Sequence, residues 1–200
     1  MNKLEPLLQR RDVVKQLLTD RKDLLVVAGL GAPAWDATQA GDDPLTFPLW
    51  GGMGGAVMIG LGLALAQPAR NVLVITGDGE MLMGLGSLAT VGVTRPANLS
   101  VVVLDNEVYG ETGQQKTHTA YGVDLATAAR ACGFVACSLV KAEGEIAGLR
   151  TAIHAGEGPL FAQVKVSAEQ MPLVLPPRDG AHLKNRFREA LLGESAHTAN

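Results

Sequence analysis

The sequence predicts an α/β fold with a mostly parallel central sheet and helices on both faces. Three observations carry this. Short apolar, β-branched runs, Asn71-Val72-Leu73-Val74-Ile75-Thr76 and Leu99-Ser100-Val101-Val102-Val103-Leu104 among them, alternate with segments whose apolar residues recur at three- and four-residue spacing. The strand runs are apolar throughout, as strands covered on both faces must be. The chain of 200 residues is 47% hydrophobic, enough for one domain with a sizeable core.

In order, residues 6–19 read as an amphipathic helix with Leu7, Leu8, Val13, Val14, Leu17 and Leu18 on its apolar stripe. The residues before it lack an uninterrupted apolar core, so no secretory signal is expected and the default location is cytoplasmic. Residues 23–28 form a first strand running into Gly29-Leu30-Gly31, which imitates a dinucleotide-binding turn. The acidic residue that such a motif needs at the end of the next strand is missing, which argues against nicotinamide binding. A short helix over 34–39 and a short strand over 45–49 follow. Residues 54–67 are apolar and rich in Gly and Ala, a helix either packed tightly on the sheet or shared with a second subunit. After the strand at 71–76, a helix is expected over 80–90, then the strand at 99–104 and a polar loop over 110–121. Helices over 124–131 and 143–154 alternate with strands over 134–139 and 159–166. These elements make a domain over 1–170; Pro172, Pro176 and Pro177 then mark a linker to a helix over 181–192, whose Lys184, Arg186 and Arg188 read as a solvated face, a partner-docking element or an acidic-substrate contact, and a frayed tail.

A net charge of −3 offers no electrostatic basis for nucleic-acid binding, and no apolar stretch reaches membrane-spanning length without Gly, Pro or charge. Cys132 and Cys137 have no further cysteine or histidine pair to complete a ligand set. They read as core thiols, so no iron–sulfur cluster is expected in this chain.

Chemistry concentrates between Gly77 and Tyr109. Parallel neighbours end at the same sheet edge, where open α/β sheets bind ligands. The strand at 71–76 delivers Gly77-Asp78-Gly79 there, and the strand at 99–104 delivers Asp105-Asn106. A carboxylate, an amide oxygen and a helix amino terminus together suit a hard cation carrying phosphate oxygens.

Gly77-Asp78-Gly79, a spacer over 80–104 and then Asp105-Asn106 resemble the signature of thiamine diphosphate-dependent enzymes. Leu49-Trp50-Gly51-Gly52-Met53-Gly54 resembles the segment of that family that holds the aminopyrimidine. The resemblance implies Mg²⁺ held by the Asp78 carboxylate, the Asn106 side-chain oxygen and the Val108 carbonyl. It implies a cofactor bordered by Gly51, Gly52, Met53, Gly77, Gly79, Glu80, Tyr109 and Gly110, with Met53 as the apolar wedge beneath it. Gly79 is expected to be glycine so that the diphosphate can approach the backbone. Two residues depart from the family pattern: Asp105 replaces a common Asn, and Glu80 is a carboxylate that must turn away from diphosphate or meet a cation, its expected contact being through the backbone.

The run through Asp105-Asn106-Glu107-Val108-Tyr109-Gly110 and Thr112-Gly113-Gln114 is similar to the sulfopyruvate and phosphonopyruvate decarboxylase branch. By that likeness the chain supplies only the diphosphate-binding half of a 2-oxoacid decarboxylase. A pyrimidine-binding partner subunit would provide the activating Glu, and self-association is expected. Lys116 and His118 are candidate catalytic residues, Lys116 attracting an anionic 2-oxoacid and His118 protonating the enamine. Two alternatives stay open: the β subunit of a 2-oxoacid:ferredoxin oxidoreductase, and a non-catalytic thiamine diphosphate-binding or regulatory subunit.

Overall fold

The computed structural model describes residues 7–198, so the first six residues, where no secretory signal is expected, and the last two of the tail lie outside it. A six-stranded, all-parallel sheet forms the centre, in the order β2 (Thr46–Pro48), β1 (Leu25–Ala28), β3 (Val72–Gly77), β4 (Leu99–Asp105), β8 (Leu160–Lys165) and β7 (Ala136–Val140). Side chains alternate between two apolar layers, because successive residues of a strand face opposite sides. Val26, Leu73, Ile75, Val102, Leu104 and Val164 meet the helices α1 (Arg10–Leu18), α2 (Ala32–Ala40) and α7 (Ile146–Ala155). Val27, Val74, Val101, Val103 and Phe161 meet α3 (Ala56–Ala66), α5 (Ser87–Thr94) and α6 (Leu125–Cys132). Both faces are covered, as the continuous apolar strands require.

Several boundaries differ from expectation for identifiable reasons. The first helix starts only at Arg10, because Leu8 is extended and pairs with Val166 beside β8, its carbonyl accepting from Ser167 N–H. Arg10 and Arg11 then donate to Asp36 of α2 at 2.6 and 3.1 Å; burial raises the Asp36 pKa, and the two guanidiniums oppose it. The helix expected over 80–90 divides into α4 (Asp78–Met83) and α5, interrupted at Gly84 and Gly86. At this break the backbones of Gly84 and Gly54 touch: a Cβ at Gly84 would lie 2.2 Å from the Gly54 carbonyl oxygen. Cys132 and Cys137 are free and partly buried against the core.

The C-terminal segment returns to the sheet. Trp50 Nε1 donates to the Pro177 carbonyl at 2.7 Å, and Asp179 caps α8 (Gly180–Leu192) by accepting from Ala181 and His182 N–H. Lys184 is exposed, as expected of a solvated face, but Leu183 and Phe187 are buried, Phe187 edge-on to Phe47 of β2 at 5.7 Å, and Arg186 pairs with Asp42. Residues Gly193–His197 form a 3-10 turn rather than a frayed end, with Arg188 donating to the Ala196 carbonyl.

Candidate functional site: the carboxyl edge of β3 and β4

The register of β3 on β4 pairs Gly77 with Leu104, so Asp78 and Asp105 arrive at the same level of the sheet edge. Their surroundings are different. Asp105 is fully buried and accepts from Thr119 Oγ1 at 2.7 Å, Gln163 Nε2 at 2.6 Å and Lys165 Nζ at 2.9 Å. Lys165 also donates to Glu107. Burial alone would lower the Lys165 pKa, but the bonds to Glu107 and Asp105 hold it above the ordinary value. The acid expected as a departure at position 105 therefore has a local counterpart: β8 supplies it with a cation.

Asp78, the first residue of α4, is only 2% exposed and has no ion-pair partner among the described residues. Its Oδ2 accepts from Thr117 Oγ1 at 2.5 Å and Thr119 Oγ1 at 3.2 Å, whereas no side chain among the described residues donates to Oδ1. Burial pushes its pKa up to about 6; the hydroxyls pull against this and the Asp105 charge adds to it. A buried carboxylate with no cation is a costly arrangement, and a bound cation relieves it.

Asn106 Oδ1 accepts from Val108 N–H at 3.2 Å, closing a turn in which Glu107 takes a positive φ of 64°. The segment expected as a loop over 110–121 is instead a small antiparallel hairpin, β5 (Val108–Tyr109) with β6 (Gln115–Lys116), followed by a 3-10 turn at His118–Tyr121. Thr117 N–H donates to the Glu107 carbonyl at 2.9 Å. Antiparallel pairs alternate between hydrogen-bonded and non-hydrogen-bonded, so the next pair, Val108 with Lys116, is of the second kind. The Val108 carbonyl is thereby directed away from β6.

The residues that enter the site lie beyond β6, whose Gln115 and Lys116 are both exposed: Thr117, ahead of the 3-10 turn, and Thr119, within it, are buried and bond to Asp78, whereas His118 is exposed and the Lys116 ammonium lies 5.9 Å from the Tyr121 ring centroid. The sequence reading missed Thr117, Thr119, Gln163 and Lys165. Only the period-two spacing of the threonines within Lys116-Thr117-His118-Thr119 signalled the first two.

Close neighbours require glycine at two positions. A Cβ at Gly79 would lie 2.4 Å from Tyr109 Cε1, so the tyrosine ring leaves no room for a side chain there. A Cβ at Gly29 would lie 2.0 Å from Glu80 Oε2, which explains the nucleotide-like glycine after β1. Glu80 is buried there, turned back from the site: its Oε2 accepts from Thr76 Oγ1 at 2.7 Å, while Oε1 makes no bond of good geometry. Burial raises its pKa against the Thr76 hydroxyl and the backbone N–H groups of Gly54, Leu30 and Ala56.

Gly51, Gly52 and Met53 are exposed beside this edge, and Gly52 and Gly54 hold φ of 72° and 91°, which favours glycine at both. A Cβ at Gly51, Gly52 or Gly77 would meet nothing within 4 Å, so the edge has open room in front of it. Gly110 is also exposed there. Two concavities, of about 380 and 220 Å³, lie elsewhere, one lined by Asn71, Asn98 and Gly156 and the other by Phe47, Ile59 and Phe187.

The thiamine pyrophosphate enzyme family, C-terminal TPP binding domain, matches residues 32–164. Sulfopyruvate decarboxylase subunit beta of Methanothermobacter thermautotrophicus is 35% identical over 94% of this chain and 97% of its own length. Phosphonopyruvate decarboxylase of Streptomyces viridochromogenes is 36% identical over 89% of this chain, which spans 45% of that enzyme. In structure, the chain superposes on benzoylformate decarboxylase of Polynucleobacter necessarius with a TM-score of 0.66 at 19% identity, covering 82% of this chain and 34% of that one, a likeness of fold. With its all-parallel sheet, its two strand-end acids and a match over residues 32–164, the chain belongs to the thiamine diphosphate-dependent enzymes, as a domain of their C-terminal cofactor-binding type.

Proposed function

We propose that this chain is the diphosphate-binding subunit of a thiamine diphosphate-dependent 2-oxoacid decarboxylase of the sulfopyruvate or phosphonopyruvate type. The observation that carries the reading is Asp78: a buried carboxylate at the edge of parallel strands, without a cation and with Oδ1 unclaimed by any side chain among the described residues. Mg²⁺ suits this donor set, since it takes oxygen ligands and the Asn106 amide oxygen and Val108 carbonyl lie on the adjoining turn. The α4 amino terminus, with Gly77 leaving open space, receives the diphosphate. Bound thiamine diphosphate supplies the electron sink that permits loss of carbon dioxide from a 2-oxoacid. This chain's residues bind and orient it: Gly51 and Gly52 border the pyrimidine, Met53 supports it from below, and Tyr109 and Gly110 flank the diphosphate.

Lys116 and His118, both exposed on the hairpin side of the site, serve the substrate. Lys116 attracts its second anionic group, and His118 delivers a proton to the product carbon. The pyrimidine-activating Glu comes from a partner subunit. Two features support that division: the site faces open space on this chain, and Trp50, Met53, Met83 and Leu85 leave apolar surface exposed near it. Such surface suits a subunit interface and self-association of the isolated chain.

The deciding experiment is calorimetric. Mg²⁺ with thiamine diphosphate at a hundredfold excess over the dissociation constant should stabilise the wild type by about 2.7 kcal/mol, and Asp78→Ala should abolish the shift. Equal stabilisation of both proteins would refute the metal assignment. In the enzyme reconstituted with its partner, Lys116→Ala should raise KM and His118→Ala should lower kcat; unchanged constants would remove both from the mechanism.

A further inference from the structure

The four oxygens around Asp78 and Asp105 are more tightly constrained than a metal ligand needs by itself. Thr117 Oγ1 lies 2.5 Å from Asp78 Oδ2 and 2.9 Å from Thr119 Oγ1. Thr119 Oγ1 lies 3.2 Å from Asp78 Oδ2 and 2.7 Å from Asp105 Oδ1. Each hydroxyl has one proton to give. The shorter contacts assign the Thr117 proton to Asp78 and make Asp105 the main acceptor of the Thr119 proton, with Asp78 Oδ2 as the longer branch of a three-centre bond. Both hydroxyls stand on the same oxygen of Asp78. The other oxygen is left to the outside.

We propose that Thr117 and Thr119 are positioning residues that make Asp78 a one-oxygen ligand, with Oδ1 presented to the cation and Oδ2 held by the hydroxyls. The inference rests on the cofactor reading above and assigns to the hairpin a role that reading does not need. Thr117 adjoins Lys116, which pairs with Val108 across the hairpin, so the bond from Thr117 to Asp78 also fixes where the Val108 carbonyl stands. Two ligands on separate elements, the α4 start and the β5 strand, are thereby set at one mutual distance. The brace is anchored in turn: Asp105 is held by Gln163 and Lys165 of β8, and Gln163 Oε1 accepts from Leu125 and Ala126 N–H at the start of α6. Partners that orient a metal ligand commonly govern affinity by tenfold to a hundredfold.

The test uses the chain reconstituted with its partner subunit, with Mg²⁺ and thiamine diphosphate titrated together by isothermal calorimetry at a temperature where every variant is folded by circular dichroism. Thr117→Val keeps the branched shape and removes the donor; it should weaken binding about tenfold or more. Thr117→Ser keeps the hydroxyl and should stay within about threefold of wild type, a rescue that a purely steric role would not give. Thr119→Val should weaken binding less than Thr117→Val, since its longer contact to Asp78 is the secondary one. If Asp78→Ala abolishes binding while Thr117→Val and Thr119→Val bind as wild type does, the brace is refuted and the cofactor reading stands. If the wild type takes up neither Mg²⁺ nor thiamine diphosphate, or Asp78→Ala binds like wild type, the cofactor reading fails and the brace with it.

Discussion

Lys165→Met should be one of the more damaging single substitutions outside the apolar core, although Lys165 lies at the end of a strand. Its ammonium donates to Asp105 Oδ2 at 2.9 Å and to Glu107, and the Asp105 side chain has no exposure at all. Removing the cation leaves Asp105 with Thr119 and Gln163 as donors but no opposite charge. Breaking a buried ion pair from one side costs about 3–5 kcal/mol. The Lys165 side chain keeps 16% of its exposure, and two neutral donors remain, so the lower end applies, about 3 kcal/mol. For a chain of this size that corresponds to a fall of roughly 6–12 °C in Tm. The double variant Asp105→Asn/Lys165→Met removes both charges together and should recover most of the loss, to within about 1 kcal/mol of wild type. Urea unfolding followed by circular dichroism measures this as a shift in midpoint at constant slope. A single variant within about 0.5 kcal/mol of wild type, or a double variant no more stable than the single, would show that Lys165 is not what makes a buried Asp105 tolerable.

Three further outcomes follow from the geometry. Asp78 has a folded pKa of about 6 against an ordinary 3.8, so the native state binds its proton more tightly than the unfolded chain does. Its contribution to stability is fully present below about pH 4 and is lost as pH rises through 6, amounting to about 3 kcal/mol at 1.36 kcal/mol per pH unit. Urea midpoints without metal should therefore carry this downward component between pH 4 and 7, and Asp78→Asn should lack it; the same pH dependence in both proteins would contradict the assignment. Away from the site, Gly92→Ala would place a Cβ 1.7 Å from the Cys132 carbonyl oxygen and force α5 from α6, destabilising by roughly 2–3 kcal/mol. Gly62→Ala on α3 meets nothing within 4 Å and should stabilise by about 0.5–1 kcal/mol, so a reversed order in the urea midpoints would mean that the helix packing differs.

The sequence by itself determined the sheet and which strand-end residues share one of its edges. Strands apolar on both faces cannot rest at a surface, and a period of two or 3.6 in the apolar residues states which element each run becomes. Because parallel neighbours end at one edge, Asp78 and Asn106 could be placed at the same sheet edge before any fold was known. Contacts between residues distant in the chain were decided only by tertiary structure. Nothing local announces that Asp105 receives Lys165, that Glu80 lies over Gly29, or that the Tyr109 ring rests on Gly79. The hairpin is the sharpest case. A polar segment over 110–121 has no apolar period to read, so only the charged and titratable Lys116 and His118 stand out in it, while the 3-10 turn after the hairpin and the bonds to Asp78 and Asp105 bury Thr117 and Thr119. Likewise Phe187 was hidden in a helix read as solvated, because one aromatic ring becomes a core residue only when a partner such as Phe47 arrives from the far end of the chain. Periodicity records how much surface an element must bury; which surface it meets is settled by register and by the closing of loops, and these are properties of the whole chain.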